Sequence, residues 1–207
     1  MVNGQLRTCD VTDVSVLAAF LDVPRERFVA PSLAKLAYVD RDVPAANSDA
    51  RGLLAPRTLA RLLQAAEIAP GERALDVGGG AGYSAALLQQ LGASVVAVES
   101  DRPAAQFARQ ALAGCAGVEI IDGDLAAGAP GRAPFDVILV NGAFETTPDV
   151  LLGQLAAGGR LVGVDAGEGA PHGVLIEKLA AGFSERSLFD GAAPLLEAFR
   201  RAPRFVF

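Results

Sequence analysis

Residues 73–84 read RALDVGGGAGYS, and this stretch decides the fold that the sequence predicts. It begins with a short apolar run that contains Asp76, and four of the five residues after Val77 are glycines. A helix-compatible run, SAALLQQL, begins at Ser84. A strand, a glycine turn and a helix start in this order let a small ligand lie against bare backbone at a helix N-terminus. We therefore interpret the stretch as a ligand-binding turn.

From Arg73 onward, short apolar runs alternate with helical segments. The runs predict strands at 73–77, 94–100, 118–121, 135–140, 160–164 and 174–179, then near Ser187–Phe189 and at Phe205–Phe207. Helices are predicted after Gly82, from Pro103, and from Pro148 to Leu155. This alternation implies right-handed βαβ units, and the near-continuous apolar runs suit strands covered on both faces. We predict a Rossmann-like α/β fold, with a seven-stranded, mainly parallel sheet, helices on both faces and an antiparallel edge hairpin.

Residues 1–69 are predicted to form an N-terminal helical extension with a loop, in one compact unit with the domain at 70–207. The first helix begins after Thr12 as N-cap and stops before Pro24. Its predicted core-facing residues are Val14, Leu17, Ala18 and Leu21. A short helical stretch at 32–39 precedes the polar loop RDVPAANSDARG (41–52). A further helix opens at Pro56 and ends before Pro70.

The length of 207 residues suits one core, and the composition disfavours several classes of function. A formal net charge of −6, with scattered Arg and Lys, argues against a nucleic-acid partner. No apolar run reaches ~18 residues and the N-terminus lacks a signal pattern, so we expect a soluble, cytoplasmic protein with no membrane attachment. Cys9, Cys115 and the single histidine, His172, are too few for a zinc site, so no metal is predicted.

Two cofactor classes compete for the glycine turn. A dinucleotide fingerprint, G-x-G-x-x-G/A, counted from Gly78 places Tyr83 at its last position, where a large side chain obstructs close helix–strand packing. The pattern D-x-G-x-G-x-G is met instead by Asp76, Gly78, Gly80 and Gly82, with Gly79 inside the turn. This is the spacing of methyltransferases that use S-adenosylmethionine. The sequence therefore favours S-adenosylmethionine as the cofactor.

Two acidic positions support an adenosyl ligand. Glu99 ends the second strand, where a carboxylate can accept hydrogen bonds from both ribose hydroxyls, although an NAD enzyme places an acid there too. Asp124 lies just past the third strand, placed to accept from an adenine amino group, with Leu125 able to cover the ring. Alone, Glu99 could be a solvated strand end and Asp124 an ordinary turn residue. Together with the glycine turn, they favour a binding site.

The sequence assigns no catalytic residue. NGAF (141–144) ends the fourth strand at the place where amino-group methyltransferases carry Asn-Pro-Pro-aromatic, but both prolines are absent. We therefore interpret Asn141 as a polar residue that ends a buried strand. His172 opens a late strand and is interpreted as a surface or edge histidine.

Over nearly the whole chain, the order of motifs resembles the protein-L-isoaspartate O-methyltransferase family. The matching segments are PRERFV (24–29), AYVD (37–40), the Pro56 to Ala60 helix opening, PGERALDVGGGAGYSAALL (70–88), VVAVES (95–100), GDLAAG (123–128), APFDVILV (133–140) and QLAAGGRLV (154–162). General methyltransferases do not share PRERFV and APFD. The resemblance implies a class I methyltransferase fold and methylation of isoaspartyl carboxylates in damaged proteins, which would be the protein partners.

The implied chemistry fits the shortage of catalytic bases. An isoaspartyl carboxylate, with a pKa near ~4, is already ionised at neutral pH, and the methyl group it attacks is carried by a sulfonium cation. No proton has to be removed. Orientation of the two reactants can contribute on the order of 7–11 kcal/mol.

The sequence departs from the family in the loop before Pro56. There the family reads Ser-Gln-Pro after a Gly-rich segment, and the hydroxyl is implicated in placing the substrate. This chain has Leu54 and Ala55 instead, and Ser48 or Thr58 could supply a hydroxyl only if the loop shifts. Two alternatives therefore stay open: a cofactor-binding relative without isoaspartyl activity, acting as a sensor or interaction module, and a small-molecule methyltransferase. No oligomeric state is predicted.

Overall fold

The computed structural model describes residues 1–46, 48 and 51–202, and one seven-stranded sheet lies at its centre. The strands are β1 (Val43–Pro44), β2 (Gly52–Leu53), β3 (Arg73–Val77), β4 (Ser94–Glu99), β5 (Val118–Asp122), β6 (Phe135–Phe144), β7 (Leu155–Asp165), β8 (His172–Leu179) and β9 (Gly182–Asp190). The sheet order is β5-β4-β3-β6-β7-β8-β9, parallel up to β7 and antiparallel for β8 and β9. The predicted Rossmann-like α/β fold with an antiparallel edge hairpin is confirmed.

Five α-helices connect or cover these strands in the described part of the chain. They are α1 (Val14–Asp22), α2 (Pro56–Ala66), α3 (Tyr83–Gln90), α4 (Arg102–Ala111) and α5 (Asp149–Gly153). Short 3₁₀ turns, including Arg25–Phe28 and Pro31–Leu36, join the N-terminal helices to the small β1–β2 pair. Within the described residues, no helix is both long enough and apolar enough to cross a bilayer.

Helix α1 lies where it was predicted, but its cap and its buried face differ from the prediction. Asp13, and not Thr12, caps the helix, because its Oδ1 accepts from the backbone N–H of Val16 at 2.9 Å. The buried residues of the helix are Val16, Leu17, Ala19 and Phe20. Val14 and Leu21, which we expected in the core, are 78% and 69% exposed. The sequence VSVLAAFL is apolar on both sides, so only tertiary contact selects the face, and Phe20 packs edge-on against Tyr83.

Strands β6 and β7 are longer than the sequence predicted. β6 continues through NGAF to Phe144, because its end pairs with β7 and with the segment near Leu195. β7 begins at Leu155, five positions before the predicted start, and α5 is correspondingly shorter than predicted. The predicted strand at Phe205–Phe207 lies outside the described residues. The sheet reaches seven strands by Asp190.

Each face of the sheet carries its own apolar core. One core joins the N-terminal helices to the sheet and contains Leu17, Leu62 and Leu87 together with Val95 and Leu139. The other contains strand residues such as Val77 and Ile138, with Leu151 from α5 and the C-terminal residues Leu196 and Phe199. The N-terminal extension therefore contributes directly to packing on one sheet face. The division at residue 69/70 stays a prediction.

Candidate functional site

The glycine turn follows β3, where the chain order of the sheet reverses between β4 on one side and β6 on the other. Ligands of open α/β sheets bind at such switch points. Gly80 adopts φ +59, a left-handed conformation that favours glycine. A side chain at position 79 would clash, because an added Cβ at Gly79 would lie 2.3 Å from Asp76 Oδ2. The turn therefore needs glycine here for two separate reasons.

Asp76 is completely buried beneath the turn. Its Oδ2 accepts from Ser84 Oγ at 2.6 Å, and Asn141 Nδ2 lies 3.5 Å from its Oδ1. Burial raises the pKa of Asp76 to about 6, while the hydrogen bonds from Ser84 and Asn141 oppose the rise. The carboxylate thus links the end of β3 to α3 and to the end of β6. Asn141, interpreted from sequence as a strand-end residue, is buried and serves this link.

Glu99 ends β4 beside the turn and is 2% exposed. Its Oε2 accepts from the backbone N–H of Gly80 at 2.9 Å, and its Oε1 accepts from the backbone N–H groups of Ser100 and Asp101 at 2.8 and 2.9 Å. Arg51 Nε also donates to Oε1, at 2.9 Å. The carboxylate is therefore oriented by the backbone and neutralised by one arginine.

Five of the eight predicted cofactor residues line one small cavity at the turn. They are Asp76, Gly79, Gly80, Gly82 and Glu99. The cavity measures about 10 Å³, and Ala97, Val98, Ala108 and Ile120 complete its wall. A pocket for a drug-sized ligand is typically about 300–1,000 Å³, so a nucleoside needs neighbouring groups to move. The group that covers the turn is Arg51, whose Cβ lies 3.2 Å from the position of a Cβ at Gly80.

The other three predicted residues lie around this cavity without lining it. Gly78 faces the apolar side, where an added Cβ would lie 3.2 Å from Leu196 Cδ1 and 3.3 Å from Leu125 Cδ1. Leu125 is 1% exposed and belongs to the core on that side. Asp124 is exposed, and its Oδ1 accepts from the backbone N–H of Ala126 at 3.0 Å. Their roles toward an adenine ring stay predictions.

We call residues 43–46, 48 and 51–55 the acceptor segment. Buried Arg25 holds its end next to α2, because Arg25 Nη2 donates to the carbonyl oxygens of Leu53 and Leu54 at 3.4 and 2.8 Å. Arg25 Nε donates to the carbonyl of Ala37 at 2.6 Å, and its guanidinium lies 4.9 Å from the centre of the Tyr83 ring. Burial lowers the pKa of Arg25. Through Arg25, the PRERFV motif thus fixes the backbone of the loop before Pro56, where the sequence differs from the family pattern.

Of the hydroxyl groups considered for the acceptor segment, that of Ser48 is hydrogen-bonded and that of Thr58 is buried. Leu54 is 1% exposed, so its side chain belongs to the core and does not face solvent. Ser48 Oγ donates to Asp101 Oδ2 at 2.7 Å and accepts from the backbone N–H of Arg51 at 2.9 Å. Thr58 is buried on α2. In this conformation the segment therefore offers a hydroxyl beside Asp101 and none at position 54.

His172 lies at the start of β8, half-buried and paired with Asp165 in register. One ligand atom from each of Asp165, His172 and Glu185 lies within 4.8 Å of the others. His172 Nδ1 is 3.1 Å from the carbonyl oxygen of Ala170. The three residues line a different cavity from the glycine turn. Imidazole and carboxylate are both ligands of divalent cations, so the expectation that no metal binds stays a prediction.

Sequence reasoning missed Arg51, Arg25 and Ser84. Arg25 lies inside the PRERFV motif, and a buried arginine there could not be inferred because its partners are backbone carbonyls far along the chain. Ser84 follows the turn, and its hydroxyl lies eight residues from the carboxylate it binds. Arg51 lies in a polar loop, where an arginine carries no signal of its own. Only the placement of the loop over Glu99 reveals it.

Comparisons with known proteins agree on one family. A family model described as protein-L-isoaspartate(D-aspartate) O-methyltransferase matches residues 2–181. A protein-L-isoaspartate O-methyltransferase of Gloeobacter violaceus is 42% identical over 164 residues, 78% of this chain and 79% of its own. The enzyme of that name from Koribacter versatilis is 38% identical over 192 residues, 92% of this chain and 85% of its own.

A solved structure has the same fold. It comes from Plasmodium falciparum, is assigned as a protein-L-isoaspartate O-methyltransferase, and is in complex with S-adenosyl-L-homocysteine. Its TM-score is 0.77, over 93% of this chain and 94% of that one, at 22% identity. At that identity the likeness supports the fold, and the sequence relatives support the family.

Proposed function

Since the chain belongs to the protein-L-isoaspartate O-methyltransferase family, we propose that it transfers a methyl group from S-adenosylmethionine to isoaspartyl carboxylates of damaged proteins. The match of the family model to residues 2–181 carries this conclusion, because it spans both the glycine turn and the acceptor segment. The resemblance stated from the sequence motifs and the predicted cofactor are confirmed. The reaction makes this chain a repair methyltransferase.

The residues at the switch point have the chemical groups that an adenosyl cofactor needs. Glu99 presents a buried, oriented carboxylate to two ribose hydroxyls, and the bare backbone at Gly79 and Gly80 permits close approach. Asp124 would accept from the adenine amino group and Leu125 would pack on the ring. When bound, S-adenosylmethionine supplies an electrophilic methyl group on a sulfonium centre. These residue assignments belong to the proposal.

The chain's own contribution to the reaction is orientation. The attacking carboxylate is ionised at neutral pH, so no side chain has to remove a proton. Arg25 holds the backbone at Leu53 and Leu54, and Asp76 holds the glycine turn against the ends of β3 and β6. Two elements fixed this way can set the line of approach between carboxylate and methyl group, which is where most of the rate enhancement would arise.

The direct test compares two peptides that differ only in the isoaspartyl linkage. Methyl transfer from labelled S-adenosylmethionine is measured to the isoaspartyl peptide and to its normal aspartyl isomer. We expect base-labile methyl ester on the isoaspartyl peptide and background on the isomer. Equal background on both peptides, together with calorimetric binding of S-adenosylhomocysteine, would reject isoaspartyl repair and retain the cofactor.

One observation favours a second candidate, a methyltransferase with a different acceptor. Position 54 carries a buried leucine where the family places a hydroxyl, and Ser48 is turned toward Asp101. A small carboxylate or another small molecule would then replace the peptide. Screening carboxylate-containing small molecules for label transfer, with the aspartyl peptide as the blank, separates this candidate from a relative that binds cofactor without catalysis.

Two further assignments are proposed with this function. We place the acceptor side in residues 1–69 and the cofactor side in residues 70–207, as parts of one unit. This is supported by the core that both parts share on one sheet face. We also propose a cytoplasmic location, which the two free cysteines, Cys9 and Cys115, support.

A further inference from the structure

Arg51 lies between the acceptor segment and the cofactor site. Its Nε donates to Glu99 Oε1 at 2.9 Å and its Nη2 donates to Ser100 Oγ at 2.8 Å. The side chain is 12% exposed and that of Glu99 is 3% exposed. Its Cβ covers the turn at Gly80. Arg51 therefore occupies the approach by which a ribose would reach Glu99.

Oε1 of the Glu99 carboxylate has no free acceptor position in this arrangement. A carboxylate offers about four lone-pair sites, two on each oxygen, and Glu99 receives four donors, three on Oε1 and one on Oε2. Three of them are backbone N–H groups of Gly80, Ser100 and Asp101, which are fixed by the turn and the strand end. The fourth is the side chain of Arg51. A ribose that bonds through its two hydroxyls to both oxygens of Glu99 can therefore do so only if Arg51 leaves Oε1.

Displacing Arg51 also disturbs the acceptor segment. The carbonyl of Arg51 accepts from the backbone N–H of Ala45 at 2.9 Å, which closes the β1–β2 pair. The backbone N–H of Arg51 donates to Ser48 Oγ, which in turn donates to Asp101. Leu54, the site of the departure from the family, lies three residues further along. The side chain that bonds to Glu99 and the backbone that is bonded into the acceptor segment thus belong to the same residue.

We propose that Arg51 is a positioning residue that competes with the cofactor ribose for Glu99, and that it holds the acceptor segment closed until cofactor binds. The proposal rests on the proposed use of S-adenosylmethionine. Binding linkage is reciprocal, so opening of the segment by an acceptor strengthens cofactor binding by the same factor. Cofactor and acceptor therefore each favour the binding of the other.

Calorimetry with S-adenosylhomocysteine tests the competition. Arg51→Gln removes the charge and keeps hydrogen-bonding ability, and Arg51→Lys keeps the charge in a form less able to reach both partners. We expect Arg51→Gln to bind about tenfold more tightly than the unmodified protein, within the usual range for coupled sites, and Arg51→Lys to lie between. Arg57→Gln, which removes an exposed arginine paired with Asp40, is the matched control and should bind as the unmodified protein does.

Hydrogen exchange gives a readout that a merely structural role would not move. Cofactor should protect the amide of Gly80 and accelerate exchange at the amide of Ala45, since the segment opens as the turn fills. Unchanged or weaker affinity in both Arg51 variants, or protection of Ala45, would overturn the proposal. If the protein transfers methyl groups but the Arg51 variants bind S-adenosylhomocysteine with unchanged affinity, only the proposed competition is rejected and the proposed function stands. No cofactor binding by any of the proteins removes the proposed function as well.

Discussion

The glycine turn and the acceptor segment meet at Glu99, yet they are held in place differently. Backbone groups fix the turn: the N–H of Gly78 donates to the carbonyl of Val98 at 2.9 Å, and that of Gly80 donates to Glu99. Besides the β1–β2 backbone pairing, two arginine side chains hold the segment, Arg25 through carbonyl oxygens and Arg51 through Glu99. Backbone contacts within one tight turn leave little freedom, whereas side-chain contacts can be exchanged for ligand. We therefore expect the cofactor side to be the more rigid of the two and the acceptor side the more adjustable.

The largest effect is expected from Gly79→Ala, which tests the rigidity of the turn. The added Cβ would lie 2.3 Å from Asp76 Oδ2 and 2.7 Å from Ser84 Oγ, both in buried groups. We expect no measurable binding of S-adenosylhomocysteine and a loss of about 1–3 kcal/mol in the free energy of unfolding. Gly131→Ala, where no atom lies within 4 Å of the added Cβ, is the control. Normal affinity in Gly79→Ala would show that the turn adapts.

Asp76→Asn tests whether the buried carboxylate beneath the turn lowers the free energy of unfolding near neutral pH. Burial raises the pKa of Asp76 from its ordinary value of 3.8 to about 6, so the folded protein binds more protons than the unfolded chain between these pH values. The free energy of unfolding should therefore fall as pH rises through this window, by up to about 3 kcal/mol. Asp76→Asn should abolish that fall and be the more stable protein at pH 7. Urea denaturation at pH 4, 5, 6 and 7 measures how the free energy of unfolding changes with pH in the unmodified protein and in Asp76→Asn. The same pH dependence in both proteins would contradict this prediction.

Glu99→Gln probes the point where the two regions meet. Loss of a charge-assisted hydrogen bond should weaken cofactor binding by about 1.5–3 kcal/mol. Because the variant also releases Arg51, part of the loss should be offset in the otherwise unmodified protein. The full loss is expected when Glu99→Gln is made in the Arg51→Gln protein. Calorimetry on the two single variants and the double variant gives the coupling, and strict additivity would mean that Arg51 and ribose do not compete.

Arg25→Lys tests the anchor of the acceptor segment. An ammonium lacks the planar fork that reaches the carbonyls of Leu53, Leu54 and Ala37, so buried acceptors lose their donor. We expect a loss of about 1–3 kcal/mol in stability and a higher KM for the peptide, with cofactor affinity unchanged. Arg27→Lys, in the same 3₁₀ turn and exposed, is the matched control. If Arg25→Lys changes the affinity for the cofactor and leaves the KM for the peptide unchanged, Arg25 supports the cofactor site and not the acceptor segment.

The smallest effect is expected from Asp124→Ala. Asp124 is exposed, so one lost hydrogen bond to adenine should weaken cofactor binding by about 0.5–1.5 kcal/mol. Asp122→Ala, two residues earlier and paired with Arg109 at the surface, is the control. Equal affinities for the two variants would remove Asp124 from the adenine site.

The elements around the glycine turn were largely predictable because their signals are local. The turn, the strand end at Glu99 and the step to Asp124 each lie within a few residues of a strand that apolar pattern alone locates. The face of α1 was wrong because VSVLAAFL is apolar on two sides and the choice depends on the contact between Phe20 and Tyr83. The extended ends of β6 and β7 depend on pairing partners distant in sequence.

The family, the sheet with its glycine turn and the class of cofactor could all be read from local patterns, because strand, turn and helix signals are encoded in neighbouring residues. Only the tertiary structure placed Arg51 on Glu99 and Arg25 on the carbonyls of Leu53 and Leu54, across separations of 48, 28 and 29 residues. Such contacts have no local pattern, since a buried arginine bonded to backbone looks in sequence like any charged residue. The conformation of the acceptor segment depends on those contacts, so it could not be predicted from the sequence.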